Sequence, residues 1–240
     1  MSLLSAKGLS KHFNGLVAVE DVSLSVPEGQ VRALIGPNGA GKTTLVGMLS
    51  GRIAPSSGAV SFDGQDVTVW PAHKRIAAGM GYTFQITSVF PNLSVLENVA
   101  LAARRKVSEN RRVIETVNVA LDRVSLLDRR SEVAGDLSYG HQRLLEIAMG
   151  LAQSPKLLIL DEPTQGLADG EVAAFNTLID ELRGNITVLL IEHNMDVVMQ
   201  VADFVTVLDA GKVLFEGTPD DVKASAEVQA VYLGGGDAAA

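Results

Sequence analysis

Residues 36 to 44 read GPNGAGKTT. The run VRALI at 31–35 precedes them, and Leu45, Met48 and Leu49 follow at helical spacing. That spacing predicts a helix over about Lys42 to Ser50. Set between strand and helix, the stretch matches G-x-x-x-x-G-K-[ST] through Gly36, Gly41, Lys42 and Thr43. Glycines let backbone N–H groups turn inward without a Cβ clash, and the helix N-terminus adds partial positive charge. Pro37, Asn38, Gly39, Ala40 and Thr44 complete the loop as a cradle for phosphate. Lys42 is expected to reach the β- and γ-phosphates as a point charge, and Thr43 to offer its hydroxyl to Mg²⁺. A chance glycine-rich turn with a lysine would arise in roughly one chain in a hundred. The flanking strand and helix make that alternative remote, so the chain is expected to bind a nucleoside triphosphate.

Working outward, the alternating Val19, Val22, Leu24 and Val26, led by Val17, read as strand and stop at PEG, 27–29. From about Ile86 to Ser154 the pattern becomes mainly helical. One face carries Val113, Ile114, Val117, Leu121 and Val124; another carries Leu144, Leu145, Ile147, Ala148 and Leu151. Then α/β alternation resumes: KLLILDE and NITVLLIE are short apolar strands, with a helix between them and another from about Asn194. Strands are expected around 204–208 and 212–216. Apolar strands alternating with helices predict a parallel sheet covered on both faces, with the helical block inserted into it.

The chain has 240 residues, 47% of them hydrophobic, enough for a sizeable core. A net charge of −8 argues against a nucleic-acid surface, which needs a basic face. The cluster Arg104, Arg105, Lys106, Arg111 and Arg112 reads as a solvated helix face. With no cysteine there is no disulfide or thiolate, and the four histidines lack zinc spacing. Neither a signal peptide nor a bilayer-length apolar run is evident, so a cytosolic-type chain is expected, with any membrane role through a partner.

LLILDE ends in Asp161 and Glu162. An aspartate at the end of a parallel strand beside a phosphate loop is placed to hold the Mg²⁺ shell. Glu162 is placed to polarise the attacking water, a general-base role worth ~10²–10⁴ in rate. The competing reading is an acidic pair capping the next turn. His193 follows the neighbouring strand, whose end lies at the same sheet edge, and so is expected near the γ-phosphate.

With these motifs quoted, the chain resembles the ATPase subunit of ATP-binding cassette (ABC) transporters over nearly its whole length. The matches are GPNGAGKTT (Walker A), LLILDE (Walker B), LSYGHQ at 137–142 (signature loop), Gln85 in YTFQ (Q-loop) and His193 (switch histidine). The resemblance implies an α/β P-loop NTPase of ABC-ATPase fold, with a parallel-sheet core, an antiparallel β-subdomain and an inserted helical subdomain. It implies a core of 1–85 and 155–233, a helical lobe of 86–154, and a disordered tail of 234–240. Also implied is a head-to-tail pair closing on two ATP molecules, with Ser138, Gly140 and His141 of one copy facing ATP on the other. Phe13 would stack on adenine, and Gln85 would touch the Mg²⁺ or the water. A membrane permease would dock near ITSVFPNLSVLENV, at the inner face of the membrane, and a periplasmic binding protein would act indirectly.

Within that family, LSYG, PAHKRIAAGMGYTFQ and the ending EGTPDDV…VQAVYLG look most like branched-chain amino acid importer ATPases. Urea or amide importers and lipopolysaccharide-export ATPases share parts of the pattern. A soluble DNA-acting ABC ATPase is opposed by the charge and the short insertion, and a catalytically silent partner by Glu162 and His193. Two positions depart from the family. Ala168 stands where an aspartate is usual, and His141 replaces a glutamine in the signature.

Overall fold

The computed structural model describes residues 2–83 and 88–233. β1 (Ser2–Phe13) and β2 (Leu16–Pro27) form a hairpin closed by Asn14 and Gly15, at φ 45° and 93°. Positive φ at both turn residues is what a two-residue hairpin needs to match strand twist. β3 (Val31–Ile35) leads into α1 (Lys42–Ser50), and β4 (Ser57–Phe62) and β5 (Gln65–Asp66) extend the hairpin. The resulting antiparallel sheet runs β2-β1-β4-β5.

α2 (Ala72–Ala78) and β6 (Met80–Thr83) precede three longer helices. These are α3 (Val95–Ala103), α4 (Asn110–Arg123) and α5 (Tyr139–Leu151). The chain continues through β7 (Leu157–Asp161), α6 (Asp169–Leu182), β8 (Thr187–Ile191) and α7 (Met195–Val201). It ends with β9 (Phe204–Asp209), β10 (Lys212–Gly217), α8 (Pro219–Ala224) and α9 (Ala226–Leu233). The second sheet runs β10-β9-β3-β8-β7-β6, parallel except where β10 joins β9.

Period-two alternation divides this sheet between two cores. Leu158, Leu160, Val188 and Leu190 pack with α3 to α6. Leu157, Ile159, Leu189 and Ile191 face α1 and the antiparallel sheet. Because both faces are covered, these strands are apolar at nearly every position. Helix starts follow local chemistry: Ser94 with Glu97, and Thr218 with Asp221, form reciprocal capping boxes at α3 and α8.

α1 occupies the expected residues, and Asn194 caps α7. One expectation needs correction. Ile114 is exposed, because the buried stripe of α4 is narrower and runs through Val113, Val117 and Leu121. Val17 lies in β2 as expected, exposed at the hairpin tip. The short helices α2, α8 and α9 went unread because so few turns leave no periodic signal. The expected tail, 234–240, lies outside the described residues.

Candidate functional site

β3 releases the chain into a loop whose Gly36, Gly39 and Gly41 have φ of 152°, 81° and 95°. α1 then begins with no side-chain cap and no acidic residue in its first turn. Its N–H donors are therefore left for an anion. The Lys42 Nζ donates to the carbonyls of Gly36 at 2.7 Å and Pro37 at 3.0 Å, which holds the ammonium over the loop. Burial lowers the Lys42 pKa, and the charges of Glu162 and Asp161 oppose that shift. Lys42 thus lies within electrostatic reach of both acids.

Register brings the strand ends together. Leu34 of β3 pairs with Ile191 of β8, and Ile191 with Asp161 of β7. Asp161 is buried, and its Oδ2 accepts from the Tyr82 hydroxyl at 2.7 Å. Burial, then the bond to Asp161, push the Tyr82 phenol well above its ordinary value, so it stays a donor. The Arg52 guanidinium stacks on the Tyr82 ring at 4.1 Å.

Glu162 is in the left-handed region, φ 49°. A non-glycine residue there costs about 1–3 kcal/mol and persists only when neighbours over-determine it. Its N–H donates to the Ile191 carbonyl at 2.9 Å. Arg143, buried on α5, donates to the carbonyls of Asp161 and of Glu162, the latter at 3.1 Å, and pairs with Glu146 at 2.9 Å. The turn directs the Glu162 carboxylate to within 3.9 Å of His193 Nδ1. The structure therefore brings together the phosphate loop, Asp161, Glu162 and His193.

Ser138 caps α5. Its Oγ accepts from the His141 N–H at 3.2 Å and bonds to His141 Nδ1 at 2.7 Å. The imidazole at this position thus places a ring nitrogen in hydrogen-bond contact with the serine hydroxyl. Gly140 lies against the Glu171 carboxylate, and the Tyr139 ring lies over Gly166. Phe13 is exposed at the hairpin tip with Lys11 Nζ 5.0 Å above its ring. Thr43 and Thr44 open α1 as expected. Gln85 lies outside the described residues.

Sequence reasoning passed over Tyr82, Arg143, Thr164 and Glu192. A signal existed for two of them. Arg143 sits on the inner stripe of α5, and Glu192 ends an apolar run, where an ionisable side chain requires a partner.

A family profile described as ABC transporter matches residues 19–165, and one described as branched-chain amino acid ATP-binding cassette transporter matches 212–238. The chain is 38% identical to the high-affinity branched-chain amino acid transport ATP-binding protein BraF of Pseudomonas aeruginosa, covering 97% of this chain and 98% of that one. It is 36% identical to LivG of Escherichia coli strain K12, a protein of the same description, with the same coverage. It is 35% identical to the lipopolysaccharide export system ATP-binding protein LptB of Haemophilus influenzae, covering 98% of both. Among solved structures, an ABC transporter cassette in its ADP conformation superposes with a TM-score of 0.87 at 28% identity, covering 98% of this chain and 99% of that one. A nucleotide-free cassette gives 0.86 at 28% identity, covering 97% and 99%. With the phosphate loop, the acidic strand end and His193 at one sheet edge, the chain belongs to the ABC transporter family, as one of its nucleotide-binding ATPase subunits.

Proposed function

We propose that this chain hydrolyses ATP with Mg²⁺ to energise import of branched-chain or other hydrophobic amino acids. The observation that carries the hydrolytic reading is the strained turn at Glu162, held between Lys42 and His193. In this reading Lys42 and the N–H groups of residues 36–44 bind the triphosphate, and Phe13 stacks on adenine. Glu162 takes the proton of the water that attacks the γ-phosphorus, as the bond to the β-bridging oxygen breaks. His193 faces the γ-phosphate from the next strand. The Thr43 hydroxyl, the Asp161 carboxylate and the Gln85 side-chain oxygen are hard donors suited to Mg²⁺, which would neutralise phosphate charge. Among the described residues no group of three His, Cys, Asp or Glu forms a protein cage, which suits an ion held largely by phosphate.

The reading extends to assembly. The lobe of 86–154, carried on the core of 1–85 and 155–233, presents Ser138, Gly140 and His141 to ATP on a second copy or a related subunit. Among the described residues no helix is long and apolar enough to cross a membrane. In this reading a permease docks on this lobe at the inner face and is supplied by a periplasmic binding protein.

Glu162→Gln tests the hydrolytic reading: ATP binding is retained and turnover falls ~10²-fold or more. Normal turnover in that variant would overturn the role of Glu162. The match over 212–238 supports amino acid import over lipopolysaccharide export, to which the 35% identical relative is assigned. Deleting the gene should abolish high-affinity leucine uptake. Intact uptake with defective lipopolysaccharide export would overturn the import reading.

A further inference from the structure

Glu192 is completely buried at the end of β8. Its carboxylate receives four hydrogen bonds, two on each oxygen. Oε1 accepts from the Thr164 N–H at 3.0 Å and the Thr164 hydroxyl at 2.6 Å. Oε2 accepts from the N–H groups of His193 at 3.1 Å and Asn194 at 3.3 Å. Its own N–H points to the Leu34 carbonyl at 3.4 Å, on the strand that feeds the phosphate loop.

Burying a carboxylate is expensive unless donors replace its water, and here four do. They come from two loops that are otherwise joined only at their roots, where the Glu162 N–H meets the Ile191 carbonyl: the one carrying Glu162 and the one carrying His193. A neutral apolar side chain would fill the space without tying those loops together. The left-handed turn at Glu162 also needs such restraint, and Thr164, two residues on, is where Glu192 supplies it.

We infer that Glu192 is a positioning residue for hydrolysis, setting the spacing of Glu162 and His193 through the backbones of both loops. Completely buried, it acts through the four donors that its carboxylate accepts from. The inference rests on the ATPase reading above. Its footprint is a change in turnover without a matching change in ATP affinity, because the side-chain bonds run only to Thr164, His193 and Asn194, and the contact with Leu34 is a backbone one that a substitution keeps.

The test uses the full chain. Glu192→Gln keeps the shape but places an amide NH₂ against one of the two donor pairs, so one loop is released. Turnover is expected to fall ~10–100-fold, the cost of roughly an ångström of misplacement, with ATP affinity unchanged within about twofold. Thr164→Val should reproduce part of the loss, and Thr164→Ser, which keeps the hydroxyl, should restore it. Either unchanged turnover in Glu192→Gln or an equal loss of ATP affinity would overturn the inference. If Glu192→Gln does not fold, equal turnover in Thr164→Val and Thr164→Ser overturns it. A wild-type chain without ATPase activity would instead overturn the reading beneath it.

Discussion

Gly36 illustrates how narrowly the phosphate loop is specified at the scale of one residue. A Cβ built there would lie 2.2 Å from the Leu208 carbonyl oxygen, and its φ of 152° disfavours any L side chain. The contact is with backbone of the neighbouring strand, which has no room to retreat. Gly36→Ala should therefore displace the loop and cost about 1–3 kcal/mol, a fall of ~2–10 °C in melting temperature for a chain of this size. ATP affinity should fall ~10-fold or more with the misplaced N–H donors. Calorimetry with and without ATP checks both. Glu162 and Glu192 belong at this scale as well: one is strained, the other relieves its own burial by restraining that strain.

Among the elements, α6 shows what the departure at Ala168 does. Ala168 is the N-cap of this helix and has no side-chain acceptor, while Glu171 takes the Ala168 N–H at 2.9 Å. Only half of a capping box is present, so first-turn donors of α6 go without a side-chain partner. Ala168→Asp should supply the missing acceptor and stabilise the chain by about 1 kcal/mol, raising the melting temperature by ~2–4 °C. A lower melting temperature would mean that the added charge beside Asp169 and Glu171 outweighs the cap. α5 is the other informative element. Its N-terminus carries Ser138 and His141, while Arg143, one turn on, holds the carbonyls of Asp161 and Glu162. Whatever moves the 137–142 loop thus bears on the acidic strand end through the first turns of one helix.

For the whole molecule, the phosphate loop and Ser138 are proposed to serve different ATP molecules, which makes a complementation test decisive. Lys42→Ala and Ser138→Arg should each be inert alone. Mixed in equal amounts, they should regain about one quarter of wild-type ATPase activity, because half of the dimers are mixed and each has one intact site. Wild-type rates should rise more steeply than linearly with dilute protein concentration. Absence of recovery on mixing would overturn the head-to-tail arrangement.

How much of this was legible beforehand depends on the range of the interaction. Local chemistry determined the phosphate loop, the α1 boundaries, the apolar strands and the acidic strand end, because glycine conformation, periodicity and strand-end carboxylates are written in consecutive residues. The resemblance added Gln85, Phe13 and the signature loop, whose roles remain proposals. Tertiary structure alone decided that Leu34, Ile191 and Asp161 share a register, that Arg143 on a helix reaches the turn at Glu162, and that Glu192 joins loops 28 positions apart in the case of Thr164. Such pairings are set by which strands become neighbours in the sheet. No window of sequence contains that information, because it is the burial of both sheet faces by distant helices that chooses the order.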